Sequence, residues 1–350
     1  MHDMKTQTSI QLLPEWTAQD AVMLTWPHEN TDWASKLDGV EKVYVQIVKE
    51  IALREQVLIV YRNDAHKQHI QSIIDDSNTL DQCVFAQSDS NDSWCRDHGP
   101  ITILKNGKPV LLNYGFNGWG NKFAADLDTL INENLYRAGV FAAEMETLPI
   151  ILEGGSIDTD GKGSLLTTEY CLLSPERNPQ YSKDEIEILL KQQMGVEQIL
   201  WLKHGYLAGD DTDSHIDTLA KFCNDSTIVY CSCNPDDEHY KELSAMEQEL
   251  KQLRNINQQA YKLIDLPIPA ARYDEDQHRL PATYINYLII NDAILLPVYD
   301  DPNDQIAIER LAEIYPDKTI VPVNCLPIIE QHGSLHCLTM QLPKGVLTSC

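Results

Sequence analysis

The chain has 350 residues, with 27 Lys and Arg against 53 Asp and Glu, a formal net charge of −26. Its 43% hydrophobic and 23% charged residues are those of a globular protein, which excludes wholesale disorder. The acidic balance argues against nucleic acid and against anionic membrane surfaces, both of which select Lys and Arg, and it suits a small cationic ligand.

In chain order, Met1 to Trp16 shows no basic stretch followed by an apolar run, so no secretory signal is expected, and no apolar run reaches the length of a membrane span. Ala21–Trp26 reads as a strand, Val40–Leu53 as a helix and Gln56–Tyr61 as a strand. Then a hairpin pattern begins to recur. Ile101–Lys105 and Val110–Tyr114 flank Asn106-Gly107, and Ser156–Thr159 and Ser164–Thr168 flank Asp160-Gly161. Leu219–Cys223 and Thr227–Cys231 flank Asn224-Asp225, and Tyr284–Ile290 and Ala293–Val298 flank Asn291-Asp292. Each is two β-rich runs around a short turn of Asn, Asp or Gly. Helical patterns follow the later hairpins at Ser182–Gly195, Asp237–Leu253 and Asp304–Ile314, with apolar strands at Gln198–Leu202 and Thr319–Val323. The unit is hairpin, helix, strand. Four units are visible, and Ala21–Trp26 with Ser334–Met340 supplies a fifth, split between the chain ends. No linker-like segment divides the chain. The expectation is an α/β fold in one domain over residues 1–350, closed into a ring that removes sheet edges.

The residues just before the turns carry chemistry. Asp97, Glu153, and the pair His215 and Asp217 precede successive turns by seven or nine positions. Equivalent repeats bring them in from the same end of the ring, and a spacing of two puts His215 and Asp217 on one strand face. The matching part of the split unit holds Cys337. A thiol there becomes a nucleophile when a cation stabilises its thiolate. Cys95 is the rival, ranked lower beside Trp94 and Arg96. The nine cysteines are odd in number and irregularly spaced, which fits a reducing, cytoplasmic setting better than a disulfide scaffold. A metallohydrolase built on His215, Asp217, Asp210 and Glu153, with His66 and His69, lacks the expected two-His helix motif. Cys231 and Cys233 lack a second ligand pair.

The runs Trp94-Cys95-Arg96-Asp97-His98-Gly99-Pro100, Leu152-Glu153-Gly154-Gly155-Ser156, His215-Ile216-Asp217 and His336-Cys337 resemble the agmatine deiminase family, within the bacterial-type peptidylarginine deiminases of the guanidine-modifying superfamily. So do Thr25–Asn30, Phe116-Asn117-Gly118-Trp119-Gly120 and Leu173–Pro179, in the same order along the chain. The resemblance implies a five-bladed α/β propeller, the pentein fold, with no metal or organic cofactor. It implies Cys337 as nucleophile, His215 as general acid and base, Glu153 as the carboxylate beside the histidine, and Asp97 and Asp217 as the grip on a guanidinium. Glu330–Ser334 and Thr339–Gln341 depart from the family's common pattern, which touches fine specificity.

Carboxylates match the forked donor edge of a guanidinium. Trp94 and Trp119 are candidates to wall the substrate tunnel. Asp210, Asp211 and Asp213 form either a solvated loop or a partner for a distal ammonium. Glu153 is expected to raise the pKa of His215. The function implied is hydrolysis of agmatine to N-carbamoylputrescine and ammonia through a thiouronium adduct, a step of putrescine biosynthesis. The alternatives are deimination of peptidylarginine, another guanidine hydrolase, or an amidinotransferase. A non-catalytic binding module of the same fold would lack the catalytic set. A homodimer is compatible with the sequence, which does not set the oligomeric state.

Overall fold

Turn chemistry sets the repeating unit. Asn106 and Gly107 both take positive φ, 53° and 77°, the left-handed conformation that a two-residue hairpin turn requires. They join Ile101–Lys105 to Lys108–Gly115 in antiparallel register, and after helix Ile131–Arg137 the strand Glu144–Ile151 returns parallel to the second strand. This first blade is copied three times. The second is Ile157–Thr159, Ser164–Thr168, helix Lys183–Met194 and Gln198–Leu202. The third is Ala220–Asn224, Thr227–Ser232, helix Tyr240–Gln252 and Lys262–Pro267. The fourth is Leu288–Ile290, Ala293–Val298, helix Asn303–Ile314 and Thr319–Asn324. In every blade the middle strand runs antiparallel to the first and parallel to the third.

A computed structural model describes residues 9–348. In it the fifth blade is assembled from both ends of the chain. Thr339–Pro343 pairs antiparallel with Gln19–Thr25, helix Leu37–Ala52 follows, and Gln56–Tyr61 returns parallel, with Cys83–Gln87 added on its far side. The result is the five-bladed α/β propeller, or pentein. Among the described residues no helix is long and apolar enough to cross a membrane.

The helices bury one face each. Leu37–Ala52 buries Val40, Val43, Tyr44, Ile47, Val48 and Ile51, spaced three and four apart as an amphipathic stripe requires. Lys183–Met194 starts at Ser182 in a capping box with Glu185 and stops at Gly195 with φ 69°, as the sequence signals predict.

Two expectations are corrected, and two elements are added. The last strand begins at Thr339, so Ser334–Leu338 is a turn and not strand. His215 and Asp217 do not share a strand face, because Ile216–Thr218 is a 3-10 turn closed by Thr218 Oγ1 donating to the His215 carbonyl at 2.9 Å. Helix Ile131–Arg137 and strand Glu144–Ile151 complete the first blade, although the helix has no side-chain cap and the strand is mostly half-buried or exposed.

Candidate active site

Each blade delivers its functional side chain from a turn placed just before its first strand. Asp97 lies in the one-turn helix Cys95–His98, and Glu153 directly precedes the turn Gly154–Ser156. His215 and Asp217 belong to the turn that leads into Ala220, and Asn286 sits two residues before Leu288. Cys337 sits two residues before Thr339. A turn makes room for this because its side chains need not alternate between sheet faces, so consecutive residues can converge on the axis.

The converging groups meet at the axis, two sets of them joined by hydrogen bonds. Cys337 Sγ lies 3.4 Å from Asn286 Oδ1 and 3.9 Å from Asp217 Oδ2. Asn286 Nδ2 donates to Asp217 Oδ2 at 3.2 Å, and its Oδ1 accepts from the His336 amide at 2.9 Å. Asp97 accepts from Trp119 Nε1 at 2.9 Å and from the Gly155 amide at 3.0 Å. Trp119 is carried on four successive left-handed residues, Gly118 to Asn121, with φ of 65°, 54°, 86° and 62°. This conformation costs about 1–2 kcal/mol at each non-glycine position. Asn117 supports it by accepting from the Gly120 amide at 2.9 Å, and the turn aims the indole at Asp97.

Above Cys337 and Asp97 lies a cavity walled by Trp94, Trp119 and Phe123. Asp32, Asp92 and Asp211 also line it, with no Lys or Arg among its lining residues. Trp94 and Trp119 thus stand where the sequence places a tunnel wall. Of the acidic run, Asp211 alone reaches the cavity. Asp210 ties its own loop, accepting from the Thr212 amide at 3.1 Å and the Ser214 amide at 2.6 Å. Asp213 pairs with Lys122 and Arg177, each at 2.6 Å.

Arg177 is a residue to which sequence reasoning gives no role, although it lies in the quoted Leu173–Pro179 run. Its Nε sits 2.8 and 3.0 Å from the two Glu153 oxygens, and its Nη2 donates to the Thr212 carbonyl at 2.8 Å. Both side chains of the Arg177–Glu153 pair are fully buried. This overturns the expected effect on His215. Burial is the largest influence and pushes the His215 pKa down to about 3, with Asp217 opposing and Arg177 reinforcing. Neither ring nitrogen of His215 has a hydrogen-bond partner in the protein among the described residues, and Asp97 Oδ1 lies 3.5 Å from Nδ1. The imidazole is therefore neutral at rest and free at both nitrogens.

The carboxylates are driven apart. Burial and the neighbouring Asp217 push Asp97 well above the usual range. Burial also acts on Asp217, but the hydrogen bond and charge of His336 outweigh it and hold Asp217 below the usual range. Burial, then Asp217 and Asp97, push the Cys337 thiol up, so thiolate formation needs an incoming cation.

Glu153, Cys171 and His215 bring ligating atoms within 4.8 Å of one another. A metal there would meet the Arg177 guanidinium already bound to Glu153, which is a poor electrostatic fit. His69 instead faces Glu41 at 2.8 Å, and His66 lies beside the Pro27 carbonyl. Cys95 is buried in the core beside Ala21, Met23 and Leu58, with its thiol pushed up by burial to about 12.

Fold and site together define a guanidine-modifying hydrolase that works through a cysteine. The chain belongs to the family described as Porphyromonas-type peptidyl-arginine deiminase, whose model matches residues 11–343. It is 45% identical, with a TM-score of 0.92, to the structure titled "Putative Arginine Deiminase from Porphyromonas gingivalis", over 97% of this chain and 100% of that one. It is 39% identical, with a TM-score of 0.90, to a cysteine-to-serine C. jejuni agmatine deiminase with substrate bound, over 97% of each chain. It is 27% identical, with a TM-score of 0.86, to an agmatine deiminase of Enterococcus faecalis, again over 97% of each.

Proposed function

We propose that Cys337 is the nucleophile of a deiminase acting on a small guanidinium compound with a second positive charge, agmatine being the substrate that fits this description. The observation that carries the reading is the cavity: Cys337 and Asp97 line it together with Asp32, Asp92 and Asp211, no Lys or Arg is present there to receive a carboxylate, and its histidine, His332, already faces Asp211 at 3.8 Å. A four-carbon chain passes between Trp94 and Trp119, and a distal ammonium meets the acidic wall.

In this reading Asp97 and Asp217 accept the guanidinium N–H groups bidentately and orient its central carbon. The bound cation lowers the cost of the Cys337 thiolate: the thiol gives its proton to the neutral His215, and the sulfur adds to that carbon. His215 passes a proton to the departing nitrogen, and ammonia leaves a thiouronium adduct. His215 then takes a proton from water, which adds to the carbon while the carbon–sulfur bond breaks. Guanidinium and water become a ureido group and ammonium. Glu153, fixed by Arg177, supports the imidazole electrostatically at the moment it gains charge.

Peptidylarginine is the second reading, favoured by the description of the family model that spans the chain. One assay separates the two: ureido product and ammonia from agmatine, free arginine and an arginine peptide at equal concentration. Agmatine turnover far above the others supports the first reading. Preference for the peptide replaces it with the second, and the absence of ureido product from all three overturns both.

A further inference from the structure

His336 stands between two carboxylates. Its Nδ1 lies 2.7 Å from Asp217 Oδ2, and its Nε2 lies 2.6 Å from Glu15 Oε1. A carboxylate only accepts, and a neutral imidazole donates from one nitrogen, so two such contacts need an extra proton in the triad. We infer that Glu15 and His336 are positioning residues: Glu15 keeps His336 doubly protonated, and the imidazolium holds Asp217 as an oriented carboxylate against Cys337.

The geometry behind this is built and not incidental. Asp217 Oδ2 receives both His336 Nδ1 and Cys337 Sγ, so the positive ring and the thiol share one oxygen. Glu15 comes from the segment ahead of Gln19–Thr25, the middle strand of blade five, outside the five turns that deliver the site residues. Its second oxygen accepts from Lys221 Nζ at 3.0 Å and Gln341 Nε2 at 3.2 Å, and Arg96 Nη1 lies 3.8 Å from the first. Lys221 is fully buried. The charged groups facing His336, directly or through one partner, are therefore Asp217, Glu15, Arg96 and Lys221, with Asp158 beside Lys221 and Asp97 beside Asp217. The Glu15 carboxyl is held well below the usual range, burial being outweighed by His336, Lys221 and Arg96.

Glu15 also lines a small second pocket, with Arg96, Asp158 and Gln341, whose lining shares no residue with the cavity over Cys337. The outer end of the triad is thus reached by a route separate from that of the substrate.

Glu15→Gln keeps size and an acceptor oxygen but removes the charge that retains the ring proton. The inference rests on the hydrolytic reading for its kinetic consequence, and its structural core is tested without turnover. Side-chain ¹⁵N NMR of histidine-labelled protein, with the His336 signals assigned by loss in His336→Gln, is followed between about pH 6 and pH 9. At neutral pH the wild-type signals are those of an imidazolium hydrogen-bonded at both nitrogens, and in Glu15→Gln they are those of a neutral ring. A neutral His336 in the wild type at neutral pH overturns the inference whatever the enzyme's substrate. The kinetic arm uses whichever substrate the wild type turns over. The alkaline limb of kcat/KM moves to lower pH in Glu15→Gln, because the ring beside Asp217 and the thiol has lost its second carboxylate. A uniform drop at all pH values with an unmoved limb marks Glu15 as merely structural and also overturns the inference. If the wild type yields no ureido product while the imidazolium is present, the hydrolytic reading fails and the triad stands.

Discussion

Gly155 sits against Asp97 so closely that its amide donates to Oδ1 at 3.0 Å and a Cβ on it would lie 2.8 Å from the same oxygen. That Cβ would also lie 2.6 Å from His215 Nδ1 and 3.1 Å from Asp217 Oδ2. One missing methyl group leaves three functional side chains their positions. Gly155 is not among the positive-φ glycines, so alanine is compatible with the backbone and the conflict is confined to the site. Gly155→Ala is expected to lower kcat/KM about 100-fold or more with an unchanged circular dichroism spectrum, since misplacement of about 1 Å has that effect on positioned groups.

Thiol reactivity gives a test whose sign opposes that of turnover. Cys337 faces two carboxylates that raise its pKa after burial does. Asp217→Asn removes one of them, so alkylation of Cys337 by iodoacetamide near neutral pH is expected to quicken, read by mass spectrometry at this residue. The same variant is expected to lose ammonia release by about two orders of magnitude, because the guanidinium loses half its grip. Slower alkylation in Asp217→Asn would show that the carboxylate stabilises the thiolate by some other route.

The buried Arg177–Glu153 pair predicts a large and asymmetric stability effect. Arg177→Ala leaves a buried carboxylate without its partner and is expected to cost about 3–5 kcal/mol in urea unfolding. Adding Glu153→Gln to that variant is expected to recover part of the loss, because the unpaired charge is gone, and to leave activity absent. Failure to recover any stability would place the contribution of Arg177 in its contacts with Asp213 and Thr212.

A pH test falls at the seam between blades four and five. Glu55 accepts from the Asn291 amide at 3.1 Å, and burial raises its pKa to about 7 despite that bond and the nearby Lys318. Between the ordinary carboxylate value of 4.5 and about 7 the folded state then keeps a proton that the unfolded state has released. The Glu55 contribution is therefore unfavourable with rising pH and complete above that window, on the order of 2–3 kcal/mol. Glu55→Gln is expected to be near neutral in stability around pH 4 and stabilising around pH 8, by that order of magnitude. Equal effects at both pH values would refute it.

The repeat was legible because hairpin turns are written in a few residue types. Asn106-Gly107 and Asp160-Gly161 punctuate the chain, and Ser182 with Gly195 mark both ends of a helix. The common register of Asp97, Glu153, His215 and Asp217 before those turns pointed to one axis, where the structure brings them together. Asn286 escaped because it lies only five residues before Asn291, outside the seven-and-nine spacing, and because an Asn carries no charge signal. Arg177 escaped because it arrives from a connecting segment within the second blade, which no repeat register describes. The link from Glu15 to His336 spans 321 positions and obeys no local pattern at all. The direction of the His215 shift is not legible because a neighbouring acid is visible in sequence and the complete burial that outweighs it is not.

The strand that follows Cys337 closes the circle by pairing Pro343 with Gln19 and Thr339 with Leu24. Contacts between such distant parts of a chain form late and slowly, because a long loop must be closed first. During synthesis the four inner blades can assemble before the sulfur-bearing segment has left the ribosome. A polypeptide that ends between the fourth blade and Cys337 carries Asp97, Glu153, His215 and Asp217 but lacks both the thiol and the strand that closes the circle.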